Sequence, residues 1–163
     1  MSETDTMLEA NRVYGEGYPG PRELRPKRKV AVVACMDSRL QIFPMLGLDL
    51  GEAHIIRNAG GVITDDMIRS ITISQRMLGT EEVVLIHHTN CGLSTFSEDE
   101  FDELLMRETG ARAHWKAESF KDVDASVRES IRRIMQSPFI QHKNVRGFVA
   151  DVDTGLLREV EAG

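Results

Sequence analysis

Cys35, Asp37 and Arg39 stand at alternate positions in Cys35-Met36-Asp37-Ser38-Arg39, directly after the apolar run Val30-Ala31-Val32-Val33-Ala34. On an extended segment alternate side chains share a face, so a thiol, a carboxylate and a guanidinium can converge there. The only other cysteine, Cys91, lies in His87-His88-Thr89-Asn90-Cys91-Gly92, again after an apolar run, Val83-Val84-Leu85-Ile86. Thiolates with an imidazole suit zinc, and three protein ligands leave a fourth position for water or substrate. The spacing predicts Cys35, His88 and Cys91 as that set: a turn presents His88 and Cys91 to one metal, and Cys35 joins them from a neighbouring strand end. His87 competes with His88. Alternation sends the two to opposite faces, so one reaches the metal; His88 is favoured, and His87 is left to packing or to support of the ligands. The competing reading is two inert buried thiols and a core histidine.

Asp37 and Arg39 separate these readings. Two positions apart, they can form a bidentate ion pair. Away from a metal that is an ordinary salt bridge. Beside Cys35 the carboxylate can accept a hydrogen bond from zinc-bound water and aim it at an electrophile, or swing onto zinc as a fourth ligand and close the site. Pairing with Arg39 holds it in the first role. Two thiolates and a neutral imidazole cancel the ion's double charge, so its water ionises less readily than beside three histidines. Activity is therefore expected to rise with pH.

The 163 residues are most simply one domain, 1–163, with 1–27 forming an amino-terminal helix and extended arm. A hydrophobic content of 41% and a charged content of 28% fit a globular chain with a core. The net charge of −6 argues against nucleic acid or an anionic membrane surface as partner. No apolar run approaches the roughly 20 residues of a membrane span, and Met1-Ser2-Glu3-Thr4-Asp5 lacks the marks of a signal peptide. The expected location is the cytoplasm, where two cysteines are free or metal-bound rather than joined.

The elements that must position these residues alternate along the chain. Thr6 to Val13 predicts a short helix, and Tyr14 to Arg28, rich in glycine and proline, an irregular arm lying on its own domain or on a second subunit. Strands are predicted at Val30 to Cys35, Ala53 to Arg57, Val83 to His88 and Arg146 to Val152, with an antiparallel edge strand at Leu156 to Val160. Between them, a helix capped by Thr64 buries Met67, Ile68, Ile71 and Leu78; Ser97 to Glu100 reads as a capping box; and Asp122 to Gln136 buries Val123, Val127, Ile131, Ile134 and Met135. Helical crossovers imply an α/β fold: a mainly parallel central sheet of about four strands plus the antiparallel edge strand, flanked by helices. Sites in such sheets lie outside the carboxyl ends of strands, where Cys35 and His88 fall. Arg57 is assigned to ordering the Asn58 to Gly61 turn or an interface, Trp115 to packing, and Tyr14, Tyr18, His54 and His114 are unranked proton carriers.

These motifs resemble those of the β-class carbonic anhydrases: C-x-D-x-R at Cys35 to Arg39, H-x-x-C at His88 to Cys91 followed by Gly92, and the stretch Gly51 to Gly61. The resemblance runs from Lys29 to Val160 and is closest to the compact prokaryotic branch, which includes enzymes that hydrolyse carbonyl sulfide or carbon disulfide. It implies a β-carbonic anhydrase-like fold and a zinc lyase that hydrates carbon dioxide reversibly to bicarbonate and a proton by zinc-bound hydroxide. It further implies one zinc per subunit on Cys35, His88 and Cys91, Asp37 and Arg39 as the gating dyad, and a homodimer or dimer-based homo-oligomer. Hydrolysis of carbonyl sulfide or carbon disulfide at the same zinc is the alternative reading, and a non-catalytic zinc or redox-sensing module a more distant one.

Overall fold

The computed structural model describes residues 2–163. Among these residues five strands form one sheet in the order β2-β1-β3-β4-β5: β1 is Val30–Cys35, β2 Ala53–Asn58, β3 Glu82–His88, β4 Asn144–Ala150 and β5 Leu157–Val160. The first four run parallel and β5 pairs antiparallel with β4, as the alternating pattern predicts. The chain leaves β1 for β2 on one side and later places β3 on the other, so β1 and β3 flank the point where the strand order reverses. A crevice opens at the carboxyl ends of strands at such a point. Cys35 closes β1 and His88 closes β3, at that crevice.

Two apolar layers hold the sheet. On one face α3 (Asp65–Arg76) and α5 (Val123–Gln136) bury Met67, Ile71, Val127, Ile131 and Ile134 against Val33, Val83, Leu85 and Val149. On the other, α2 (Ile42–Leu46) and the segment after β3 bury Leu40, Ile42 and Leu93 against Val32, Ala34 and Ile86. Gly147 in β4 is where α5 comes nearest: a Cβ there would strike Val127. Met135, expected on the buried stripe of α5, is instead exposed, because the stripe that meets the sheet is Val127, Ser130, Ile131 and Ile134.

Among the described residues, three of the five α-helices start on a side-chain cap. In α4 (Glu98–Thr109) Ser97 and Glu100 form the expected capping box, and Gly110 at φ 72° ends the helix. Thr64 starts α3 without a side-chain cap bond, leaving Asp65 and Asp66 to favour its first turn. The first helix, α1, spans Glu3–Glu16 rather than the expected Thr6 to Val13, since Ser2 and Asp5 build a capping box that starts it earlier. No residue of α1 is buried.

Candidate metal centre

β1 carries Cys35 to the crevice as its last residue, paired with Asn58 of β2 where the pairing with β3 has ended at Ala34. β3 delivers His87 and His88, both buried, and Leu85 and Ile86 before them fall in different apolar layers. Alternation therefore carries the two histidines to opposite faces. The chain then reverses at Asn90, whose φ of 50° is the left-handed conformation that asparagine tolerates. That reversal turns Cys91 back toward the strand ends.

The ligand atoms of Cys35, His88 and Cys91 all lie within 4.8 Å of one another. A tetrahedral zinc with ligands at roughly 2.1–2.3 Å separates them by about 3.5–3.8 Å, which this cluster accommodates. His88 shows which of its nitrogens is the donor. Nδ1 donates to the Thr89 carbonyl at 2.7 Å, while Nε2 is buried with no hydrogen-bond partner. An imidazole with one nitrogen tied to a carbonyl and the other orphaned among thiols fits a metal ligand. His87 repeats the pattern, with Nε2 bonding the Gly61 carbonyl at 3.1 Å and Nδ1 buried without a partner, but it lies outside the cluster of thiols, and burial pushes its pKa down to about 4.

The thiols respond to their crowding. The hydrogen bond from Cys91 is the main reason that the Cys35 thiol lies far below the ordinary range, at about 4; burial opposes it, and His88 and the backbone N–H groups of Asp37 and Gly60 assist. The same bond and burial push Cys91 up. Two thiols and an imidazole sharing so small a volume are a donor set that a divalent cation completes.

Asp37 and Arg39 form the expected bidentate pair. Arg39 Nε donates to Asp37 Oδ1 at 2.9 Å and Nη2 to Oδ2 at 2.8 Å, while the Arg39 backbone N–H also reaches Oδ1. These bonds hold the carboxyl well below the usual carboxylate range. Arg39 Nη2 donates in addition to the Asn90 carbonyl at 2.9 Å, joining the two ligand-bearing loops. The carboxylate stands beside the metal position, with Oδ2 3.7 Å from His88 Nε2.

The turn Ala59–Gly61 fills the crevice between β1 and β3. Gly61 sits at φ 69°, and a Cβ there would lie 2.8 Å from the Cys35 nitrogen and 3.0 Å from the Ile86 oxygen. Arg57, expected to order this turn or an interface, makes its hydrogen bonds to the loop after β1 and not to the turn, through the carbonyls of Cys35, Asp37 and Leu40. The parallel register was the available signal, since Arg57 lies opposite Ala34, next to Cys35. His54 is remote from the centre, near the start of β2 and bonded to Ser74 at 2.7 Å. Trp115 is half exposed beside Phe101. It lines, with His114, Asn58, Ala59 and Leu93, a groove of about 1220 Å³ that includes none of Cys35, Asp37, Arg39, His88 and Cys91.

Comparison with known proteins agrees with this geometry. The family model described as carbonic anhydrase matches residues 30–157. The chain is 52% identical over 161 residues to Beta-carbonic anhydrase 1 of Mycobacterium bovis, covering 98% of this chain and 99% of that protein. It is 35% identical to a carbon disulfide hydrolase of Acidithiobacillus thiooxidans, covering 80% of this chain and 76% of the other. The crystal structure of carbonic anhydrase from Streptococcus mutans superposes with a TM-score of 0.93 at 47% identity, covering 99% of both chains. With the metal-ligand cluster at the switch point of a matching sheet, the chain belongs to the carbonic anhydrase family, in its β class.

Proposed function

We propose that this zinc enzyme hydrates carbon dioxide reversibly to bicarbonate and a proton, with one zinc per subunit held by Cys35, His88 and Cys91. The observation that carries the reading is the orphaned, buried Nε2 of His88 between two thiols, with an ionised carboxylate 3.7 Å away. When bound, zinc supplies the Lewis acidity that lets a water lose its proton at accessible pH. Cys35 and Cys91 would be its anionic ligands, and the Thr89 carbonyl keeps the proton of His88 on Nδ1, so Nε2 is free to coordinate. Asp37 accepts a hydrogen bond from the attacking water and turns its lone pair toward the carbon of the substrate. Arg39 holds Asp37 ionised and in register. The product proton leaves to buffer.

The 52% identity to a protein named carbonic anhydrase, against 35% to one named carbon disulfide hydrolase, favours carbon dioxide. Stopped-flow hydration by the zinc-loaded protein, from mildly acidic to alkaline pH, tests this. The expected result is hydration that rises with pH. A protein that retains zinc yet hydrolyses carbon disulfide and never hydrates carbon dioxide overturns it.

In this reading residues 1–163 are one domain, and 1–27 form an arm that meets a second subunit. Met7, Leu8, Val13 and Tyr14 of α1 are exposed apolar side chains with no cover in their own subunit. The assembly proposed is a homodimer. Among the described residues no helix is long and apolar enough to cross a membrane, and both cysteines are free. The composition and the unpaired thiols support a cytoplasmic location.

A further inference from the structure

The loop from Cys35 to Leu40 carries a metal ligand at one end and the carboxylate of the dyad in its middle. The ladder between β1 and β2 ends with the Met36 N–H donating to the Asn58 carbonyl at 2.7 Å. Beyond it the chain leaves the sheet, and carbonyls there need other partners. One side chain meets three of them. Arg57 Nε donates to Cys35 O at 2.9 Å, Nη2 to Asp37 O at 2.7 Å and Nη1 to Leu40 O at 3.2 Å. No ion pair among the described residues includes Arg57. Its fork is given to carbonyls of this loop, a geometry that a lysine, with one ammonium, cannot reproduce.

Asp37 is thus held from two sides. Arg39 takes its carboxylate, and Arg57 takes its carbonyl at 2.7 Å, which the Leu40 N–H meets more distantly at 3.1 Å. Oδ2 is 3.7 Å from His88 Nε2, close to the roughly 3.5–3.8 Å between two ligands of one tetrahedral zinc, so where the Asp37 main chain sits decides whether the carboxylate reaches the metal. We infer that Arg57 is a positioning residue: through the Asp37 carbonyl it fixes how far the carboxylate stands from the metal, and so keeps the fourth coordination position open to small anions and substrate. The inference rests on the metal site proposed above.

Cobalt(II)-loaded full-length protein tests it, with azide as the probe and visible d–d absorption as the readout. The variants are Arg57→Gln, Arg57→Lys, Asp37→Asn and the Arg57→Gln/Asp37→Asn double variant. Arg57→Gln is expected to weaken azide binding about tenfold, the scale of one charge-assisted hydrogen bond, and Arg57→Lys to weaken it less. In the Asp37→Asn background Arg57→Gln is expected to change nothing further, because the group it restrains is no longer a carboxylate. A merely structural role would weaken azide equally in both backgrounds, and that result overturns the inference. So does unchanged azide affinity in Arg57→Gln when its thiolate-to-cobalt charge-transfer band matches the wild type. Absence of that band in the wild type would overturn the metal site itself, and the inference with it. Should Arg57→Gln fail to fold, Arg57→Lys carries the same comparison in both backgrounds.

Discussion

Two histidines adjacent in the chain take opposite chemical assignments because of what each nitrogen meets. His88 ties Nδ1 to its neighbour's carbonyl and presents a bare Nε2 to the thiols, whereas His87 bonds Gly61 across the crevice and its bare Nδ1 lies outside the thiol cluster. Burial holds His87 neutral, with its pKa down at about 4 against an ordinary 6.5. The unfolded chain takes up that proton as pH falls through 6.5, and the folded chain refuses it until about 4. The stability contributed by a neutral His87 is therefore complete above pH 6.5 and lost as pH drops toward 4. Between pH 7 and pH 5 the loss is about 2 kcal/mol by this linkage. Urea unfolding of wild type and His87→Gln at both pH values checks it: the wild type should lose that much more than the variant. Equal slopes would place the titration elsewhere.

At the scale of elements, the metal centre depends on a turn that brings no ligand. Ala59–Gly61 packs so closely between β1 and β3 that Gly61 has backbone on its open side, from Cys35, Ala34 and Ile86. Backbone cannot yield as a side-chain tip can, and φ of 69° adds strain for any residue with a Cβ. Gly61→Ala should destabilise the fold by about 3 kcal/mol or more and spread the ligand-bearing strand ends apart. Differential scanning calorimetry and zinc content after gel filtration report the two effects. A normal melt with full zinc would show that the crevice relaxes. Gly147 is as crowded, but by the side chains of α5, so its replacement should lower stability while zinc content stays full.

The whole molecule places its chemistry where strand order reverses and leaves one helix bare. Its sheet is covered on both faces, yet α1 buries none of its residues and exposes Met7, Leu8, Val13 and Tyr14. Removal of residues 1–17 therefore takes little from the subunit's own packing, and its effect should fall on assembly. Sedimentation velocity of the full chain is expected to show a dimer, and of the truncated chain a monomer. A full chain that sediments as a monomer would leave α1 without the role proposed for it.

Much of the centre was legible in the chain because its determinants are local. The ends of two apolar runs place Cys35 and His88, a two-residue spacing pairs Asp37 with Arg39, and a turn after His88 returns Cys91. Strand and helix alternation fixed the parallel sheet for the same reason: each element's pattern depends on neighbours a few residues away. The tertiary structure decided what depends on residues brought from afar. It assigned the bare nitrogen of His88 through the orientation of its ring, gave Arg57 three carbonyls from a loop about twenty residues earlier, and turned the α5 face so that Met135 meets solvent. It also set how tightly the Gly61 turn fills the crevice, a clearance that no single segment specifies. Local pattern names the groups that can react; the distances between them come from packing of segments that the sequence keeps apart.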